Sequence, residues 1–193
     1  VIGSDIDKRM IKQAIIDSPN EKIEYVIAST QNLPFRSNIF DIVTAFSAFH
    51  WFYDKASLSE IKRVATKDGL LFVVNKNETG DMKKIIKNTL KEFVVGGTFP
   101  PSAKDSYDPV LIMRQSDLKD IKEYIVNVVE KYTINDAVNY AQSMSVWNLV
   151  QKEKREEACA RLQEAFLSNA KNGFVERPLE VKIVSSFKTA TGF

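Results

Sequence analysis

The chain has 193 residues, 44% of them apolar, enough for one domain with a sizeable core or one domain with a cap. Its 27 basic and 25 acidic residues leave a net charge of only +2, which excludes nucleic-acid binding driven by net charge. No apolar run approaches the roughly 18 residues of a membrane span. One cysteine, Cys159, and one histidine, His50, exclude an internal disulfide, a thiolate metal cluster and paired-histidine chemistry.

The first third alternates strand and helix. Val1-Ile2-Gly3 is already strand-like, and a domain rarely opens in mid-strand, so the chain is expected to be incomplete upstream. Asp7 reads as the N-cap of a helix carrying Met10, Ile11, Ala14 and Ile15 on one face. Asp17-Ser18-Pro19-Asn20 ends it, and residues 23–28 read as a strand. A loop over 29–38 holds Leu33-Pro34-Phe35. Residues 40–45 read as a buried strand. Asp54 or Ser57 caps the next helix, Ser57 and Glu60 having capping-box spacing. Asp68-Gly69 then turns into Leu70-Leu71-Phe72-Val73-Val74. Continuous apolar strands alternating with helices predict a parallel sheet covered on both faces.

Beyond Asn75 the pattern changes. Met82, Ile85, Ile86, Leu90 and Phe93 mark an amphipathic helix, and a loop runs over 96–109. A helix near Ser116-Asp117 leads into a strand at 124–128. Two helices are expected at 134–149 and 152–171, and a closing strand at 175–189. The expected division is a core over 1–75, a cap over 76–120 and completing elements over 121–193. Trp147, Met144 and Cys159 read as core, and Lys104, Arg114 and Arg177 as solvated charge rather than anion ligands.

Three places carry chemistry. Asp5 ends a strand and precedes a helix, where open α/β sheets hold a ribose diol; Asp5 and Asp7 would equally serve as turn acid and N-cap. Ser29-Thr30-Gln31-Asn32 follows the second strand and could reach an adenine edge, or merely form a loop anchored by Leu33 and Phe35. The third strand leads into Ala45-Phe46-Ser47-Ala48-Phe49-His50-Trp51-Phe52, placing the single histidine where such sheets bind ligands; a structural histidine is the other reading.

These motifs, in this order, resemble the class I S-adenosylmethionine-dependent methyltransferases, and His50-Trp51-Phe52 resembles the trans-aconitate methyltransferase branch. The resemblance is dense over 1–75 and looser beyond. It implies a Rossmann-like α/β fold, a seven-stranded methyltransferase sheet lacking its first strand and carrying a helical cap insertion. It implies S-adenosyl-L-methionine as cofactor, with Asp5 on the ribose, Ile6 on the adenine, Ser29 and Thr30 at the adenine edge, and Ala45 and Phe46 along the methionine part. His50 and Trp51 would face a small-molecule substrate, with a carboxylate as one acceptor and His50 as the candidate base for a protic one. A quinone-type C-methyltransferase and a non-catalytic binding remnant are the alternatives. No nucleic acid, metal or membrane partner is expected, and the location is expected to be cytoplasmic.

One departure from the family is large. Its glycine-rich loop, upstream of the ribose acid, has no counterpart in these residues; Gly3 stands alone and Gly96-Gly97 lies far downstream. The absent strand would lie between those ending at Asp5 and Ala45, so both are expected to expose unpaired edges, and the chain to bind cofactor poorly.

Overall fold

The computed structural model describes residues 1–20, 22–101, 107–116 and 118–187. Lys104, Asp117 and the end of the last expected strand lie outside the described residues. The strands are β1 (Ile2–Asp5), β2 (Glu24–Ile27), β3 (Phe40–Phe46), β4 (Ala65–Glu78), β5 (Lys119–Tyr132) and β6 (Val175–Phe187). The helices are α1 (Lys8–Asp17), α2 (Lys55–Val64), α3 (Met82–Leu90), α4 (Pro109–Gln115), α5 (Ile134–Ser143) and α6 (Arg155–Asn169).

The strands fall into two sheets. β1 and β2 pair parallel, with Asp5 opposite Ile27. The other sheet runs in the order β3-β4-β6-β5, and β3 pairs parallel with β4. β1 and β3 belong to different sheets, so among the described residues each has one hydrogen-bonded neighbour. The chain forms two compact units. One is Val1–Val74 with the described parts of 106–123 and 183–193; the other is the described parts of 75–105 and 124–182.

In the first unit, Phe49, Leu58, Ile61, Leu71, Val73, Met113 and Val184 form the core. Asp7 caps α1 as expected, its carboxylate accepting from the Arg9 amide at 2.8 Å. Of the expected apolar face of α1 only Ile11 is buried; Met10 and Ile15 are exposed. β3 is likewise less buried than its composition predicts: Ala45 is covered, while Ile42 and Phe46 face solvent. The expected capping box does not form. Asp54 is the N-cap of α2, accepting from the Ala56 and Ser57 amides and the Ser57 hydroxyl, which leaves Glu60 for another role.

Asp68-Gly69 does not precede β4 but lies inside it. Phe40 pairs with Ala65 and Ile42 with Leu70, so residues 66–69 bulge against Asp41 alone. A Cβ on Gly69 would sit 3.0 Å from the Thr66 backbone, a tight contact that glycine avoids.

In the second unit, α3, α5 and α6 pack through Met82, Ile86, Leu90, Ala137, Ala141, Leu162 and Phe166, with Trp147 in the same core. The helix expected over 134–149 breaks at Met144, whose backbone is extended, and resumes as a 3-10 turn over Ser145–Leu149. Arg177 is not solvated charge. It is buried on β6, donating to Glu78 and Glu130 at 2.9 Å each and lying 4.3 Å over the Tyr140 ring. Glu130 also accepts from Lys76 and from the Tyr132 hydroxyl, both at 2.8 Å.

The Lys76 ammonium, with Tyr132 and Arg177, holds the Glu130 carboxyl down at about 2 from the ordinary 4.5. A carboxyl with a lowered folded-state pKa contributes stability that is full above pH 4.5 and is lost as pH falls toward 2. Glu130→Gln should therefore flatten the acid limb of a stability-versus-pH curve. Arg177→Ala strands Glu78 and should cost roughly 3–5 kcal/mol. Chemical denaturation across pH checks both; an unchanged acid limb in Glu130→Gln would refute the assignment.

Candidate functional site

The candidate residues sit at the carboxyl ends of β1, β2 and β3. At β1, Asp5 is exposed and its Oδ1 accepts from the Asp7 amide at 2.7 Å, fixing the strand-to-helix turn. Among the described hydrogen bonds, that is the one made by the Asp5 side chain. Ile6 follows at 72% exposure. Asp7 is held down to about 2 by the Arg9 guanidinium and amide, so its carboxylate belongs to the cap.

The register of β1 and β2 brings the first two places together. Asp5 lies opposite Ile27, and the Ala28 amide donates to the Asp5 carbonyl at 3.0 Å. Ser29 and Asn32 then close a tight turn with Thr30 and Gln31 at its tip; the Ser29 hydroxyl accepts from the Gln31 amide at 3.3 Å.

The loop after this turn is clamped from α2. Glu60 accepts from the Leu33 amide at 2.8 Å. Arg63 donates to the Leu33 carbonyl at 3.0 Å and the Phe35 carbonyl at 2.7 Å, and pairs with Glu60 at 2.6 Å. Three backbone groups of a loop without regular structure are thereby satisfied by one ion pair. Arg63, and next the Leu33 amide, hold the Glu60 carboxyl down to about 2. Neither residue stands out in the sequence, where the only local signal for Glu60 is its spacing from Ser57.

At β3 the strand ends in Ala45, buried, and Phe46, 68% exposed. Ser47 then adopts φ 47°, a left-handed conformation uncommon for a residue with a side chain. Its amide still bonds the Val74 carbonyl at 2.7 Å, so the sheet holds this residue in place. The chain turns there into a 3-10 segment, Phe49–Trp51. His50 is 8% exposed; its ring centroid lies 4.9 Å from Trp51 and 5.8 Å from Tyr107. Trp51 is 73% exposed. Tyr107 also meets Phe49 at 6.3 Å and Tyr53 at 6.0 Å, making it the hub of this aromatic cluster. Sequence reading passed over Tyr107, which sits in a loop more than fifty residues away with no local signal.

β1-end and β2-end residues thus form one group and β3-end residues a second; no strand pairing joins them among the described residues. A cavity of about 360 Å³ opens between β1, β2 and α1, and Asp5 is the one predicted site residue on its wall. Arg114, on α4, is exposed.

Residues 1–73 match the family model described as a methyltransferase domain. No curated protein matches the chain. Solved structures with the same fold include a candidate type II methyltransferase from Anaeromyxobacter dehalogenans, with TM-score 0.58 and 17% identity, covering 97% of this chain and 78% of that one. The YcgJ protein of Bacillus subtilis gives 0.55 at 16% identity, covering 98% and 82%. A candidate methyltransferase from Bacillus halodurans C-125 gives 0.53 at 17% identity, covering 98% and 83%. At such identities the likeness is one of fold: the chain has the Rossmann-like α/β fold of these structures, and the match to the methyltransferase-domain model is confined to residues 1–73. No described helix is long and apolar enough to cross a membrane.

The Glu60–Arg63 clamp yields a direct prediction. The Leu33 amide should be protected from hydrogen exchange in the parent chain and lose that protection in Glu60→Ala, while amides in α2 keep theirs. Equal protection in both proteins would show that the loop holds its shape without the clamp.

Proposed function

We propose that this chain carries the cofactor-binding and acceptor-facing elements of an S-adenosylmethionine-dependent methyltransferase acting on a small molecule. The observation that supports it most is the methyltransferase-domain match over 1–73, in a fold whose β1 ends in an exposed carboxylate. Asp5 fits a ribose diol: it is exposed, its turn bond takes up Oδ1, and the β1–β2 register sets it beside the strand-end turn at Ser29. Ile6 would lie on the adenine, Ser29 and Thr30 would meet its edge, and Ala45 and Phe46 would line the methionine part. When bound, the cofactor supplies an activated methyl group, which leaves the protein to orient the acceptor and exclude water.

His50 and Trp51 would face that acceptor. A carboxylate nucleophile needs no base, whereas a phenol, amine or carbon acid would hand its proton to the His50 imidazole. The finer assignment to the trans-aconitate branch rests on the His50-Trp51-Phe52 run alone. Elements within 76–120 and 134–171 would shape acceptor choice.

The methionine end of the cofactor has no glycine cradle in these 193 residues. A further strand ending in such a loop would lie between β1 and β3. Supporting this, β1 and β3 have one neighbour each, and Met10, Ile15, Ile42 and Phe46 are apolar yet exposed in the same unit.

Two substitutions test the site in a version of the chain extended upstream of Val1. Asp5→Ala should weaken S-adenosylhomocysteine binding by about 1.5–3 kcal/mol, the cost of losing a charged hydrogen-bond acceptor; unchanged affinity removes Asp5 from the site. His50→Ala should lower turnover far more than it lowers cofactor affinity. Parallel losses of both would make His50 a packing residue of the Tyr107 cluster.

A further inference from the structure

β5 closes the four-stranded sheet as its edge strand, and the run Tyr124-Ile125-Val126-Asn127-Val128-Val129 within it is exposed throughout. Six successive residues there carry no charge, no proline and no glycine. Edge strands in natural proteins are normally blunted by those devices, because an open edge offers unpaired N–H and C=O groups to any other strand. β-Branched residues dominate the run, which suits it to pairing.

The charges flanking the run point to its occupant. A two-fold axis perpendicular to the sheet preserves its faces, so residues of equal parity must lie opposite each other. In the antiparallel register centred on Asn127, Glu123 of one copy faces Lys131 of the other, and the same pair recurs across the axis. Ile125 then faces Val129, Val126 faces Val128, and Asn127 faces its own copy. Moving the centre by one residue, to Val128, sets Ile125 against Lys131 and Val126 against Glu130. In the register centred on Asn127 the sequence of β5 is therefore complementary to itself, in charge and in apolar character together.

We propose that β5 pairs antiparallel with β5 of a second copy of this chain, through a closed two-fold interface centred on Asn127. This inference is independent of the methyl-transfer reading. A single strand pair is a small interface, so the dimer should be concentration-dependent rather than permanent.

Sedimentation velocity on the 193-residue chain, from sub-micromolar to high-micromolar concentration, should show a monomer–dimer equilibrium. Lys131→Glu sets two like charges opposite each other and should weaken the dimer by at least about tenfold. Adding Glu123→Lys to it should restore the dimer, a rescue that general misfolding could not produce. Asn127→Cys should cross-link to a covalent dimer under mild oxidation, while the parent chain with Cys159 alone and a Lys122→Cys variant should not. A monomer at all concentrations, open-ended aggregates, or a dimer indifferent to the charge reversal and closed through another edge would each overturn the proposal.

Discussion

Parallel strands are stable only when hydrogen-bonded neighbours cover their edges and apolar groups cover both faces. Much of the first unit follows from how far that requirement is met. β4 meets it: Leu71 and Val73 are buried, and β3 and β6 flank it. β1 and β3 meet it halfway, each with a single partner. Ile42 and Phe46 of β3, with Met10 and Ile15 of α1, are apolar and exposed in the same unit. The ligand-facing ends of such strands nevertheless keep their shape, because local bonds define them: the Asp5 turn, the Ser29–Asn32 closure and the Ser47 reversal.

The α2 helix organises what the sheet does not. Its N-terminus is held by Asp54, and its solvent side sends Glu60 and Arg63 onto the backbone of Leu33 and Phe35. An ion pair at a surface contributes little stability by itself. Here its value lies in geometry, since the pair converts a free loop into a fixed wall beside the Ser29 turn. The second unit uses charge differently. Arg177, Glu78 and Glu130 are sequestered together, satisfying one another between β4, β5 and β6.

The order of elements over 1–75 was legible because apolar strands and capped helices leave periodic signals. Asp7 as a cap and Ile11 as core followed from spacing alone. Three features were not legible, each for a physical reason. Glu60 has capping-box spacing from Ser57, but Asp54 offered a carboxylate that already satisfied the Ser57 amide. Asp68-Gly69 reads as a turn ahead of a strand, and it does turn, but as a bulge within β4 because Ala65 pairs with Phe40 first. Arg177 reads as surface charge because two glutamates distant in sequence, Glu78 and Glu130, supply its burial. Among the candidate residues, the position of Asp5, Ser29 and Ala45 at or just after strand ends was legible from the order of elements, whereas Tyr107 reaches His50 only through tertiary packing. β5 was read short because its charged first half has no apolar alternation.

The most direct measurement is calorimetric titration of S-adenosylhomocysteine into this chain and, in parallel, into a version extended upstream of Val1. The account predicts micromolar binding by the extended protein and little by the 193-residue chain, because on the proposed reading Asp5 would hold the ribose while the methionine end would need a glycine loop between β1 and β3. Equal binding by both would contradict the need for that strand. Binding by neither would contradict the methyltransferase reading itself.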